Sequence, residues 1–365
     1  MSKREAMKIL IIKLSSLGDV IQTLPVLIPL RKKFPDAKIS WLVEEEAAEL
    51  IKGHPLVDQI IISRKNRWIR ALSKIGKLPQ IVQEGNAFCK DLRSCSYDFV
   101  IDFQGLLKSG IFVGISRGKR KLGFTPVREK AHIFLNEKIP FPKTPLHAVE
   151  RYLFLIASLG CSGVNPEFFI PIRQNHRDRV LKFLQKNKIT LCKPLILLHP
   201  GTRWKTKLWV EEKWAVLGDW LQEKTGAQVV FTGSVNDFSL IERITGKMRF
   251  TAINTAGMWG LNELAFLQKQ ADVVIIPDSG PMHLASAMGT PVVALFGPTD
   301  PKLTGPYGEG HRVIMKTTEC QPCFKRKCSS NECMKEITVK EVWEATETML
   351  ALSIKQKEEG GYGIK

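Results

Sequence analysis

The sequence has no apolar run long enough to cross a bilayer as a helix, which excludes a transmembrane helix. It has no aromatic pattern of the kind that stacks RNA bases and no helix-turn-helix signature. The common nucleic-acid modules are therefore absent, and no nucleic-acid partner is expected. No internal sequence repeat appears. Only the polar tail Lys355 to Lys365 is of low complexity, and it is expected to be disordered. Acidic residues are scarce beside basic ones: 36 Asp and Glu against 54 Lys and Arg leave a formal charge of +18. That balance points to a nucleic acid, an anionic membrane surface or an acidic substrate. The first has no module to serve it, so the other two remain. The start, MSKREAMKILIIKL, has the basic-then-apolar order of a signal peptide. Its apolar run is short, rich in Ile, and followed by a polar turn without a small-residue cleavage site. A first buried strand and a cytoplasmic location are the expectation.

What is present is a chain of 365 residues, 44% hydrophobic and 25% charged, the composition of a soluble globular protein with two domains. The stretch Ala271 to Pro301, ADVVIIPDSGPMHLASAMGTPVVALFGPTDP, organises the rest. Val273 to Ile276 reads as a strand buried on both faces. Asp278 or Ser279 can cap the helix that follows, Pro281 suits its first turn, and Gly289 ends it. Pro291 to Phe296 is the next buried strand. A helix N-terminus at the carboxyl end of a strand suits an anion such as a diphosphate, with His283 beside it.

The first half alternates in the same way. Lys8 to Lys13 reads as a strand, Ser15 to Asp19 as a turn, and Val20 to Phe34 as a helix that Pro29 kinks. Lys38 to Val43, Gln59 to Ile62 and Asp98 to Asp102 read as further strands, and Arg64 to Arg70 as a basic aromatic loop or helix start. His147 to Leu159 is a helix, and Cys161 to Asn175 a linker. In the second half, Leu195 to Leu198 and Gln228 to Phe231 are strands around the helix Trp209 to Thr225. The fold class is α/β: two Rossmann-like domains, residues 1–172 and 173–354, facing each other across a cleft, with the tail 355–365 beyond.

Each domain places a glycine-bearing turn after its first strand. Gly18 lets the backbone approach closely, and Asp19 sits at a helix start, where the helix dipole favours its charged form. It can act as a general base toward an acceptor hydroxyl, or simply as an N-cap. Thr202, Arg203, Lys205 and Lys207 crowd a short loop whose donors and cations fit phosphate oxygens, or form a solvated basic loop.

These residues carry a resemblance. KLSSLGDVIQTLP, WLVEEE at Trp41, DFQGLLKS at Asp102, HAVER at His147, HPGTRWKTKLW at His199, the organising stretch and PYG at Pro306 together resemble the lipopolysaccharide heptosyltransferases, glycosyltransferase family nine, of GT-B fold. WLVEEE and HAVER are most similar to heptosyltransferase I. The resemblance implies inverting transfer from ADP-L-glycero-β-D-manno-heptose to Kdo on lipid A, without a metal in catalysis. It makes Asp19 the base and places Thr202, Lys207, Asp237, Asp278, Ser279, Gly280 and His283 at the donor, with Lys205 a rival to Lys207. It gives Gly18 and the basic cluster Arg64, Lys65, Arg67 and Arg70 to the acceptor. The anionic Kdo and lipid A phosphates then account for the positive charge and imply a peripheral place on the cytoplasmic face of the inner membrane. Transfer of another sugar or to another acceptor (a second heptose, or a protein) stays open, as does a non-catalytic nucleotide- or polyanion-binding protein.

One feature departs from the family pattern. Cys320, Cys323, Cys328 and Cys333 form C-x2-C-x4-C-x4-C, a spacing that in a cytosolic protein favours structural zinc or iron over disulfides. Four free thiols in a loop are the alternative. Lys, Arg, Ser and Asn dominate this segment, so a metal rather than apolar burial is expected to fold it.

Overall fold

The computed structural model describes residues 6–65, 67–68, 78–163, 165–190 and 192–359. Arg70 of the basic cluster lies outside these residues. The chain divides into two compact units, Met1–Pro171 and Ile172–Lys365.

The first unit is built on strands β1 (Lys8–Ile12), β2 (Lys38–Glu44), β3 (Gln59–Ser63), β4 (Ser96–Asp102), β5 (Arg117–Thr125) and β6 (Glu137–Pro140), in the order β3-β2-β1-β4-β5-β6. The second has β7 (Leu195–Leu198), β8 (Gln228–Phe231), β9 (Ile253–Asn254), β10 (Val273–Pro277), β11 (Val292–Phe296) and β12 (Arg312–Met315), in the order β12-β11-β10-β7-β8-β9. Taken from its other edge, the second order repeats the first. Every strand pair is parallel. Strand order therefore reverses between β1 and β4 in one unit and between β7 and β10 in the other. At such a switch point the loops diverge to opposite faces and leave a crevice at the carboxyl ends.

Helices cover both faces of a parallel sheet, so the central strands are apolar throughout. Ile9 to Ile12, Leu195 to Leu198 and Val273 to Ile276 are all fully buried. The polar strand β5 has no such signal. Only Leu122, Gly123 and Phe124 are buried in it, and it is tied outward by charge pairs instead. Arg120 forks onto Glu137 with two bonds of 2.8 Å, and Lys119 reaches Asp98 at 2.8 Å.

The helix expected from Val20 to Phe34 differs in detail. Leu17–Thr23 and Leu27–Lys33 are separate helices joined by a 3-10 turn at Leu24–Val26. The break falls at Pro25, which has no N–H to continue the ladder, and not at Pro29, which occupies the first turn of the second helix, where none is needed. The last helix, Val339–Glu359, buries Val342, Trp343, Met349 and Leu350 in the second unit's core. It continues past Lys355, where the disordered tail is expected to begin; residues 360–365 lie outside the described residues. Among the described residues no helix is long and apolar enough to cross a membrane.

Trp41 in β2 links this packing to the first switch point. It is completely buried, and its indole N–H donates to the Lys13 carbonyl at 3.2 Å. Trp41→Ala is expected to cost the first unit roughly 3–5 kcal/mol through the cavity and the lost bond. Urea denaturation followed by circular dichroism measures it; a midpoint unchanged from wild type would show that the ring carries no such burden.

Candidate active site

In the first unit the chain leaves β1 through Lys13-Leu14-Ser15-Ser16 and enters the helix Leu17–Thr23, which puts Asp19 in its first turn. One carboxylate oxygen, Oδ2, accepts the Ser16 backbone N–H at 2.9 Å and the Ser16 hydroxyl at 2.7 Å. The other, Oδ1, lies 3.5 Å from the Lys13 ammonium and accepts the Tyr152 hydroxyl at 3.3 Å. Lys13 itself is 2% exposed and donates to the Tyr152 oxygen at 2.7 Å and to the Phe103 carbonyl at 3.1 Å. Burial opposes its charge. Asp19 and Tyr152 outweigh that penalty and raise its pKa above the ordinary lysine value. Asp19 keeps 37% of its side chain in the open, so the carboxylate is both held and reachable.

The turn after β4 braces this loop from across the switch point. Gln104 accepts the N–H groups of Leu14 and Ser15 at 3.2 and 3.1 Å. Asp102 shapes the turn by accepting the N–H groups of Gln104 and Gly105 and the Ser109 hydroxyl. Its burial raises its pKa against those bonds. Lys108 donates to Ser15 and to the buried Glu44, which ties the WLVEEE and DFQG segments into one frame. Lys65, Arg67 and Trp68 are helical. Arg64 lies 3.7 Å from Glu45 and Arg67 3.8 Å from Glu84. The first pair is exposed, and in the second Arg67 is exposed while Glu84 is half-buried.

In the second unit the corresponding loops follow β7 and β10. His199 leaves β7 and its ring meets the Thr232 hydroxyl at 3.0 Å. Gly201 is close against Asp237: a Cβ there would lie 2.3 Å from the carboxylate carbon. Asp237 accepts the Ser234 N–H and hydroxyl at 2.8 and 2.6 Å, so the loops of Thr202 and Ser234 close around it. Lys207 reaches Asp278 at 2.5 Å, with the two side chains 12% and 8% exposed. Asp278 also accepts the Thr299 hydroxyl at 2.6 Å. Of the two rival lysines, Lys205 is exposed and Lys207 is the one turned to Asp278.

Ser279, not Asp278, takes the N-cap position of the helix Gly280–Ala287. Its hydroxyl makes no cap bond and is buried without a hydrogen-bond partner among the described residues. Asp278, one residue before the cap, instead gives one carboxylate oxygen to both Lys207 and Thr299. His283 is buried within that helix.

The four cysteines line one small cavity of about 40 Å³, together with Thr206, Pro298, Thr318 and Asn331. All four are free thiols. Burial raises the Cys333 pKa, and Cys320, Cys323 and Cys328 add to the rise, a sign of their nearness. The Asn331 N–H donates to the Cys328 sulfur at 3.4 Å. Among the described residues, though, no group of three or more His, Cys, Asp or Glu side chains could hold a metal ion, so the expected closed set is not formed. The segment also has apolar anchorage that the sequence reading denies it. Cys333 and Met334 belong to the second unit's core, fitted against Gly297, where a Cβ would meet Met334 at 2.7 Å.

Both units therefore carry a charged, polar loop pair at the switch point of a doubly wound sheet, the arrangement of a GT-B glycosyltransferase. The pattern of glycosyltransferase family 9 (heptosyltransferase) matches residues 86–334. The chain is 31% identical over 337 residues to lipopolysaccharide heptosyltransferase 1 of Pseudomonas aeruginosa, with 88% of each chain covered. It is 32% identical over 318 residues to lipopolysaccharide heptosyltransferase 1 of Escherichia coli K12, covering 86% of this chain and 95% of that one. The structure of E. coli heptosyltransferase WaaC with ADP matches with a TM-score of 0.74 at 28% identity, over 94% of this chain and 100% of that one. The chain belongs to glycosyltransferase family 9, and it is a glycosyltransferase.

Lys13 and Tyr152 are not among the candidate residues named from the sequence. A lysine at the end of an otherwise apolar strand is the one signal that could have found the first. Tyr152 lies 139 residues away and has no local mark.

Two histidines make the folded state sensitive to acid. Burial lowers the pKa of His54 and of His199 from 6.5 to about 4. Between those values the unfolded chain binds protons that the folded chain refuses. Stability should fall as pH drops from 6.5 toward 4, by up to about 3 kcal/mol per histidine. His54→Asn keeps an acceptor for the Leu56 N–H, now 3.1 Å from the ring nitrogen, and removes the titration. Urea unfolding at pH 7 and pH 5 should show a smaller loss in this variant than in wild type.

Proposed function

We propose that this chain moves L-glycero-D-manno-heptose from ADP-heptose to the Kdo region of a lipopolysaccharide precursor, with inversion at the sugar carbon. The names of its relatives supply the substrate class: lipopolysaccharide heptosyltransferase 1 in both bacteria, and a further WaaC structure with ADP-2-deoxy-2-fluoro heptose, 28% identical with a TM-score of 0.72. The observation that carries the reading is Asp19, a carboxylate fixed on one oxygen by Ser16 and still reachable on the surface. In this reading the acceptor hydroxyl oxygen bonds to the anomeric carbon while the bond from that carbon to the β-phosphate oxygen breaks. The hydroxyl proton passes to Asp19, and the negative charge leaves on ADP. Lys13 and Tyr152 hold Oδ1 in place and balance the charge of the carboxylate before it takes the proton.

The donor belongs to the second unit. Lys207, Thr202, Ser279, Gly280 and His283 meet the diphosphate, and Asp278 orients Lys207 toward it. Asp237 serves the nucleoside end. Gly18 and the cluster Arg64, Lys65, Arg67 and Arg70 serve the acceptor. Its Kdo and phosphate groups are anionic and lie at the cytoplasmic face of the inner membrane, where a protein of charge +18 is drawn to the surface. Catalysis needs no metal.

Asp19→Asn should lower kcat by roughly two to four orders of magnitude with little change in donor affinity. Lys207→Ala and His283→Ala should weaken ADP-heptose, while Arg64→Ala and Arg67→Ala should raise the KM for Kdo-lipid A. ADP release measures all five. A near-normal Asp19→Asn removes that residue from the mechanism, and if the other four variants, donor-site and cluster alike, raise only the acceptor KM, the division of roles is overturned.

The softness and spacing of Cys320, Cys323, Cys328 and Cys333 are the ground for a structural zinc or iron; they line one cavity, though no three of them are arranged to hold a metal ion among the described residues. The metal would fix the loop and take no part in transfer. Elemental analysis of protein purified without a histidine tag should give one metal per chain. Substoichiometric metal with four thiols that react freely in the native state would sink the idea.

A further inference from the structure

The cysteine loop is fastened to the loop after β7 that carries Lys207 and to the loop after β11 whose Thr299 bonds Asp278. The Thr206 hydroxyl, beside Lys207, donates to the Lys325 carbonyl at 2.9 Å. The N–H groups of Cys323 and Phe324 both donate to the Pro298 carbonyl, at 3.0 and 2.8 Å, next to Thr299. The Gln321 amide donates to the Gly297 carbonyl at 2.6 Å. These bonds bring Arg326 onto Trp204, its guanidinium carbon 4.8 Å from the ring centre. The Lys207 ammonium lies over the same ring, at 4.5 Å.

Two cations thus share one indole. An aromatic face attracts each of them, but they repel one another. Lys207 has Asp278 as its counter-charge. Arg326 is exposed, and no carboxylate pairs with it among the described residues. The surplus positive charge calls for an anion, and a guanidinium already held against an indole is preorganised to fork onto phosphate oxygens.

We propose that Arg326 is a donor-binding residue, a second cation for the diphosphate of the nucleotide sugar, carried to the site by the cysteine loop. This rests on the reading that Lys207 meets the same diphosphate. It also gives the loop a purpose, because its bonds to Thr206, Pro298 and Gly297 set where the guanidinium stands.

Calorimetric titration of the full chain with ADP, and with AMP as the probe lacking the second phosphate, tests this. Arg326→Ala should raise the Kd for ADP about tenfold, the scale of one charge-assisted contact, and leave AMP nearly unchanged. Arg326→Lys should recover part of the loss, since it keeps the charge without the fork. Lys327→Ala, the neighbouring cation with no such stacking, should bind ADP as wild type does. Thermal melting of each variant separates a local loss from an unfolded loop, because Arg326→Ala should melt with the wild type.

If Lys207→Ala weakens ADP and Arg326→Ala does not, this proposal fails while the donor site stands. If neither weakens ADP, the placement of the diphosphate fails too. A Lys327→Ala loss equal to that of Arg326→Ala would mean that only the general charge of the loop matters, and would overturn the specific role.

Discussion

A lysine withdrawn from water must be given counter-charge and hydrogen-bond acceptors, and each unit meets that requirement at its switch point. Lys13 follows β1 and faces Asp19; Lys207 follows β7 and faces Asp278. Desolvating such a pair is expensive, and an apolar substitute of similar volume is often as stable. What the pair supplies is position. Lys13 draws in Tyr152 and the Phe103 carbonyl, so the helix Ala148–Ala157 and the end of β4 are both referred to one ammonium group. Lys207 ties the loop after β7 to Asp278 and, through it, to Thr299 after β11. Strand order decides where the crevices are, and the lysines decide what stands in them.

The sequence shows the strands best where sheet packing leaves them no choice. Ile9 to Ile12, LILL and VVII have no polar position because both their faces are covered. The turns after them are equally plain, since glycine and a cap-forming side chain must follow such a strand if the chain is to enter a helix. β5 could not be found that way: only Leu122 to Phe124 are buried, and its basic first half is held by ion pairs to its neighbours. The identity of strand order in the two units leaves no trace as a sequence repeat. Parallel sheets constrain only hydrophobicity and length, and many sequences satisfy both.

At the sites, local signals were legible and long-range ones were not. Asp19, Asp278 and the lysine-bearing loop stand out because the residue types and their spacing belong to a turn. Which lysine turns inward was not readable, since Lys205 and Lys207 share a 3-10 turn and differ only in direction. Tyr152, Gln104 and Thr299 act through contacts between elements far apart in the chain. The cysteine segment misled in the opposite direction: its polar composition hides Met334, one residue whose burial against Gly297 anchors the end of the loop.

The division at Pro171 and Ile172 has a consequence for how such proteins diversify. Each unit closes its own six-stranded sheet, and the described hydrophobic clusters keep to one side of the boundary or the other. A crossover between genes at this point would leave both interiors intact. Halves from different lineages can then be inherited as modules, and what one half recognises is free to change without reworking the other.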